Sequence, residues 1–219
     1  MTETFLLDVS KLYDDRVFRE YYGNLSGYRR EKTDRLKIRK DKNLSLGIGI
    51  LINRFLEDNF GICEHFVRYS ELKNGKPFFA DFSNIHFNAS HSGDVCICTF
   101  SENNTGCDVE RLSENKQLRQ IAGRFFSEKE QAFFKTASES FAESFFRLWT
   151  LKESYLKFTG EGLGGLNSCQ ILFSGNAPLA FRANEKQEVC FKEYRFGEYF
   201  ISVCSASDNF CESITKVEL

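Results

Sequence analysis

Proline is nearly absent from this chain, with 2 in 219 residues, and hydrophobic residues make up 42% of it. That combination excludes a disordered or linker-dominated protein. Methionine is as scarce, a single residue against 24 phenylalanines, so the interior is expected to be aromatic. No apolar run is long enough for a signal peptide or a membrane span, and the N-terminus carries Glu3 and Asp8, which predicts a cytoplasmic protein with no membrane partner. A net charge of -2 supplies no global attraction for nucleic acid, so none is expected as a partner and any basic cluster must be local. No CxxC pair occurs among Cys63, Cys96, Cys98, Cys107, Cys169, Cys190, Cys204 and Cys211, which argues against zinc or dithiol chemistry. Buried free thiols are the expectation, with Cys96 and Cys98 on one face of a strand.

What is present begins with length enough for one large domain or two modest ones, each with a core. Between Tyr28 and Asn43 lie Arg29, Arg30, Lys32, Arg35, Lys37, Arg39, Lys40 and Lys42 against Glu31, Asp34 and Asp41, a local excess of five positive charges. Such a run is either a solvated helix face or an anion cradle suited to a phosphorylated ligand. The following NLSLGIGILINRFLEDNFG predicts a buried helix capped by Asn43 or Ser45 and ended by Gly61. Its Gly47-Ile48-Gly49 is no dinucleotide fingerprint, because Ile52 stands where the third glycine belongs. ICEHFVRYS alternates like a strand, and Asn74-Gly75-Lys76-Pro77 predicts a turn that is either a plain hairpin or a lid over a nucleotide.

The stretch from His86 to Glu110 concentrates the chemistry. Asp108 and Glu110 are two apart, hence on one face of a strand, and two carboxylates that close repel unless a cation lies between them. Two antiparallel strands joined by an Asn104-Thr105-Gly106 turn are expected, placing Asp108 and Glu110 beside the strand Val95 to Phe100. Ser90 and His91 do not make a hydrolase, since G-x-S-x-G would need glycine where Asn88 stands and strand neighbours face opposite ways. In a turn leaving the strand, both would donate to an anion.

Further on, Ser127 and Glu130 form a capping box for a helix with Phe133 and Phe134, and a longer helix follows with a stripe of Phe141, Phe145, Leu148, Trp149, Lys152, Tyr155 and Leu156. On that helix Glu153 and Lys157 are four apart. They are either an exposed ion pair contributing about 0.3–0.5 kcal/mol, or, if they face Asp108 and Glu110, a third oxygen ligand or general base and a phosphate contact. Gly160 to Gly165 matches GxGxxG formally but ends a helix, so a helix stop is expected. CQILFS, LAFRA, VCFKEYR, YFISVCS and SITKVEL predict short antiparallel strands closing a second sheet.

HFNASHSG, GCDVE and WTLKESYLK, in this order and at these separations, resemble the three signature blocks of the 4'-phosphopantetheinyl transferases, specifically the longer class that activates nonribosomal peptide and polyketide synthases of secondary metabolite biosynthesis. The resemblance runs from about Arg29 to Gly165. It departs at Cys107, where an aliphatic residue is usual, at Ser45, where threonine is, and at Glu161, often a basic residue, which bears on the choice of carrier.

The resemblance implies an α+β fold of two similar α/β subdomains with small, mostly antiparallel sheets and packed helices, related by a pseudo-twofold with coenzyme A in the cleft. The subdomains would span residues 1–104 and 105–219; no internal sequence repeat marks them. It implies a monomeric, Mg2+-dependent enzyme that moves the phosphopantetheine arm of coenzyme A to a serine of an apo acyl or peptidyl carrier protein, releasing adenosine 3',5'-bisphosphate. Asp108, Glu110 and Glu153 would hold the metal, with Asp108, Glu153 and Lys157 as the catalytic set. Glu153 would activate the serine and Lys157 contact the pyrophosphate. Arg29, Lys32, Ser45 and His91 would meet the 3'-phosphate, Ser90 the pyrophosphate region, and Gly75, Lys76 and Pro77 the adenine end. Alternatives are a non-catalytic coenzyme A or nucleotide-binding module, and another Mg2+-dependent phosphoryl transferase, for which no Walker loop or kinase signature is present.

Overall fold

The computed structural model describes residues 1–219. In chain order the elements are β1 (Glu3–Asp8), α1 (Asp15–Tyr22), α2 (Gly27–Asp34), α3 (Arg39–Phe60), β2 (Tyr69–Glu71), β3 (Pro77–Phe79), β4 (His86–Ser92), β5 (Val95–Ser101) and β6 (Thr105–Arg111). There follow α4 (Leu118–Phe125), α5 (Glu128–Thr136), α6 (Phe141–Thr159), β7 (Cys169–Ser174), β8 (Ala177–Arg182), β9 (Glu185–Lys186), β10 (Cys190–Phe196), β11 (Tyr199–Ser205) and β12 (Thr215–Val217). The fold is α+β, with small sheets that are antiparallel apart from one parallel pairing.

Two compact units divide the chain, Met1–Glu102 with Cys211–Leu219, and Asn103–Phe210. The expected division into 1–104 and 105–219 therefore needs correcting at its end. The last nine residues return to the first unit because β12 pairs in parallel with β1, Leu6 opposite Lys216. The expectation that SITKVEL joins a second sheet is overturned by the same pairing.

In the first unit the sheet order is β12-β1-β5-β4, and α3 crosses it. Gly47 explains how closely: a Cβ there would lie 2.6 Å from Val9 Cγ1 and 2.8 Å from Cys96 Sγ, so this glycine admits the sheet, while Gly49 makes room for Leu25. Phe5, Phe55 and Phe100 form the centre of the core, the last two stacked at 3.8 Å between centroids. Removing one such ring costs about 3–5 kcal/mol.

The helix α3 starts at Arg39, not at the expected caps. Asn43 and Ser45 lie buried inside it, and Asn43 Oδ1 instead accepts from Arg39 Nε at 3.0 Å. Its end is as expected, with Gly61 at φ 64°. ICEHFVRYS is strand only from Tyr69; Glu64–Phe66 is a 3-10 turn, bent inward because the Glu64 carboxylate is drawn into the core by three donors.

In the second unit the sheets are β10-β11-β6 and β7-β8-β9, with α6 against β6 and β11. The expected pairing of the Asp108 strand with Val95 to Phe100 does not form. β6 pairs with β11, Asp108 opposite Ser202, and Thr105 and Gly106 already belong to the strand. Asn104 is held instead by α6, its side-chain amide donating to the Phe158 carbonyl at 2.5 Å. The stripe on α6 faces the core as its spacing predicts, with Phe141 and Trp149 partly buried at its edge and the rest buried, including Lys152, whose ammonium meets the Glu130 carboxylate at 3.0 Å with both side chains inaccessible. All eight cysteines are free thiols.

Candidate active site

Two groups of side chains answer to the sequence motifs, one in each unit. In the second unit, β6 is buried without a break from Thr105 to Val109, which buries Asp108 and leaves Glu110 half-buried at the end of the run. Opposite them runs α6, started by a capping box in which the Ser140 hydroxyl accepts from Glu143 N–H. Gly106 lets the two backbones touch: a Cβ there would lie 2.8 Å from the Lys157 carbonyl carbon. Close approach brings the Lys157 ammonium to 2.7 Å from Asp108 Oδ1. Glu153, one turn earlier on α6, is buried at 8% exposure, and its Oε1 has no hydrogen-bond partner. The exposed Glu153–Lys157 pair is thus excluded; the lysine turns to Asp108.

Electrostatics follow from that packing. Burial, then the neighbouring charges of Asp108 and Glu110, push the Glu153 carboxyl up to about 7 against the opposing pull of Lys157. Burial works to lower Lys157, but the charge of Asp108 and its hydrogen bond outweigh it and hold the ammonium above its ordinary value. No three carboxylate, imidazole or thiol groups converge as a finished metal cage. The donor set nonetheless fits a hard divalent cation. Asp108, Glu110 and Glu153 offer only oxygen, repel one another as the raised Glu153 shows, and leave an unsatisfied buried Oε1.

In the first unit, α2 and α3 bring Arg29, Lys32 and Ser45 together. Arg29 is buried, its Nη2 donates to the Ser45 carbonyl at 2.5 Å, and its Nε has no partner. The Ser45 hydroxyl shares a 2.8 Å hydrogen bond with Thr33. Lys32 is lowered from its usual value, first by burial and then by the Arg29 charge. Other members of the basic run have local partners: Arg35 pairs with Glu31, and Arg39 with Asp15 and the Leu12 carbonyl.

Gly75 and Lys76 occupy the turn from β2 to β3 and Pro77 begins β3; the turn is closed by Gly75 N–H to the Leu72 carbonyl at 2.8 Å, with Gly75 at φ 80°. Burial, then the Lys76 charge, lowers the His86 imidazole at the start of β4. Ser90 and His91 are not in a turn. Both lie within β4, Ser90 opposite Ile97 and His91 opposite Cys96, so Ser90 is buried and His91 exposed on alternate sides. Glu161 accepts from Arg182.

Sequence reasoning missed Thr33, which holds the Ser45 hydroxyl, and the buried Glu130–Lys152 pair beside Glu153. The signal for the second was a lysine inside an apolar stripe, twenty-two residues after a capping glutamate. Thr33 carries no comparable signal.

The sequence profile of the 4'-phosphopantetheinyl transferase superfamily matches residues 104–204. The 4'-phosphopantetheinyl transferase gsp of Aneurinibacillus migulanus is 34% identical over 223 aligned positions, covering 100% of this chain and 92% of that protein. The 4'-phosphopantetheinyl transferase Sfp of Bacillus subtilis is 29% identical over 197 positions, covering 88% and 87%. Among solved structures, a holo-acyl-carrier-protein synthase of Helicobacter pylori in complex with coenzyme A aligns with 47% of this chain and 99% of that chain at 21% identity and a TM-score of 0.37. The chain belongs to the 4'-phosphopantetheinyl transferase superfamily.

Proposed function

We propose that this enzyme transfers the 4'-phosphopantetheine arm of coenzyme A to a serine of an apo acyl or peptidyl carrier protein in the presence of Mg2+, as a cytoplasmic monomer. The serine oxygen bonds to the phosphorus that carries the pantetheine arm. The bond from that phosphorus to the bridging oxygen breaks, and adenosine 3',5'-bisphosphate leaves with that oxygen. The serine proton passes to Glu153, directly or through water. The observation that carries this reading is the placement of Glu153, buried on α6 beside the charges of Asp108, Glu110 and Lys157 with an Oε1 that no protein group satisfies, where a carboxylate oxygen can serve a metal or a proton.

Asp108, Glu110 and Glu153 would hold the metal, which when bound neutralises and polarises the phosphoryl oxygens. Lys157 contacts the pyrophosphate and stabilises the departing charge. In the first unit, Arg29, Lys32, Ser45 and His91 receive the 3'-phosphate, Ser90 the pyrophosphate region, and Gly75, Lys76 and Pro77 the adenine end. The buried guanidinium of Arg29, with its unpartnered Nε, and the solvent-exposed Lys32 whose charge acts on it support an anion there.

The test is to incubate the purified protein with Mg2+, coenzyme A and a panel of apo carriers, and weigh the carriers. One added phosphopantetheine arm is expected. Coenzyme A binding with no mass gain on any carrier type would support the non-catalytic module instead. In the same assay Asp108→Ala is expected to lower transfer by on the order of 100-fold or more, as the loss of a group that holds or orients a metal does. Undiminished transfer at saturating Mg2+ would remove Asp108 from the metal site.

A further inference from the structure

Glu64 is a fully buried carboxylate that no catalytic or binding role above employs. Burying such a charge is costly unless hydrogen bonds satisfy it. Three donors do so: the Ser26 backbone N–H at 2.5 Å, the Ser26 hydroxyl at 2.6 Å and the Tyr69 hydroxyl at 2.7 Å. A carboxylate only accepts, so the single Ser26 hydroxyl proton is committed to Glu64. Its lone pairs are left for the Arg29 N–H, 3.3 Å away, which is the N-terminal cap of α2. Glu64 is in turn tied to α3, its own N–H donating to Asn53 Oδ1 at 2.8 Å.

The second arm of the device runs through Tyr69. Its ring stacks on Tyr28 at 4.7 Å between centroids and 16° between planes. The Tyr28 hydroxyl donates to Glu71 at 2.7 Å, and the Lys32 ammonium lies 5.8 Å from the Tyr28 ring centre. The helix these contacts hold is only eight residues long, too short to be stable or well placed on its own. It carries both Arg29 and Lys32.

We propose that Glu64 is a positioning residue for the anion cradle: through Ser26 and Tyr69 it sets the placement and rotation of α2, and with them the reach of Arg29 and Lys32 toward a ligand phosphate. The inference rests on the assignment of Arg29 and Lys32 to the 3'-phosphate of coenzyme A. Charge and position predict opposite signs here. A carboxylate near the cradle repels an anion, so by charge alone Glu64→Gln would tighten phosphate binding. By position it weakens it, because glutamine cannot accept all three donors.

The experiment is calorimetric titration of the full chain and its Glu64→Gln and Tyr69→Phe variants with adenosine 3',5'-bisphosphate and with adenosine 5'-phosphate. Glu64→Gln is expected to lose about tenfold in affinity for the bisphosphate, the scale of one charge-assisted hydrogen bond, and much less for the monophosphate. Tyr69→Phe should move the ratio the same way by a smaller factor. In turnover, the rise in KM for coenzyme A should exceed the fall in kcat. Unchanged or tighter bisphosphate binding by Glu64→Gln overturns the inference, and so does an equal loss for both ligands, which marks general loosening. Should Glu64→Gln not fold, an unchanged ratio in Tyr69→Phe overturns it alone. A wild-type protein with no preference for the bisphosphate would instead strike the 3'-phosphate assignment, and this inference with it.

Discussion

At the scale of residues, the decisive fact is how Glu153 and Lys157 part company. Spacing alone allows them to pair with each other along α6; burial and Gly106 instead give Lys157 to Asp108 and leave Glu153 facing two like charges. A folded-state value of about 7 against an ordinary 4.5 has a definite consequence for stability. Below the ordinary value both folded and unfolded chains hold the proton. As pH rises from there through about 7, the unfolded chain releases it while the folded one retains it, so stability falls across that window and levels off above it. Protein stripped of divalent cations should therefore lose melting temperature between about pH 4.5 and 7 more steeply than Glu153→Gln, which cannot titrate. Parallel melting curves for the two would show that Glu153 is not desolvated as its burial implies. The residue types of this site were legible in the sequence as three motifs. Which carboxylate would be raised was not, because desolvation depends on what packs over a group rather than on its neighbours in the chain.

At the scale of elements, caps and stops explain which boundaries could be read. The Ser127 and Glu130 box, the buried stripe of α6 and the left-handed Gly61 and Gly160 are short-range features, and each appears where its spacing predicts. The start of α3 was misplaced because Asn43 and Ser45 have capping chemistry but are used inside the helix, in contacts to Arg39 and Thr33. The pairing of β6 was misjudged for a related reason: a polar segment between two strand-like runs predicts a hairpin, whereas Asn104 is recruited by the carbonyl end of α6. Gly106 tests this account. An added methyl meets backbone atoms of Ser154, Lys157 and Phe158, which cannot rotate away. Gly106→Ala is expected to cost roughly 1–3 kcal/mol by urea denaturation and to reduce transfer by moving Lys157 from Asp108. Wild-type stability in that variant would mean that β6 and α6 approach less closely than described.

At the scale of the molecule, the chain forms two units whose boundaries the motifs bracket, with one exception at its end. β12 leaves the second unit in sequence and completes the first in space, paired with β1, while the Lys11 ammonium reaches the Leu219 carbonyl at 2.6 Å. Truncation after Phe210 should therefore weaken the first unit selectively. Hydrogen exchange followed by mass spectrometry should show β1 losing protection while β6 and β11 keep theirs. Equal loss in both would indicate that the terminal segment supports the whole chain rather than one sheet.

The linear order of residues was enough to establish the aromatic cores, both long helices and the three blocks whose resemblance to the superfamily implied the α+β class. Those properties rest on composition, on periodicity within a dozen residues and on side-chain chemistry carried by each residue wherever it lies. Folding in three dimensions settled what sequence separation conceals: β12 against β1, β6 against β11, Lys157 against Asp108 and Glu64 beneath α2. Each joins groups far apart in the chain, selected by which buried polar atoms find partners and which backbones approach closely enough to exclude a side chain, and such selection has no local trace.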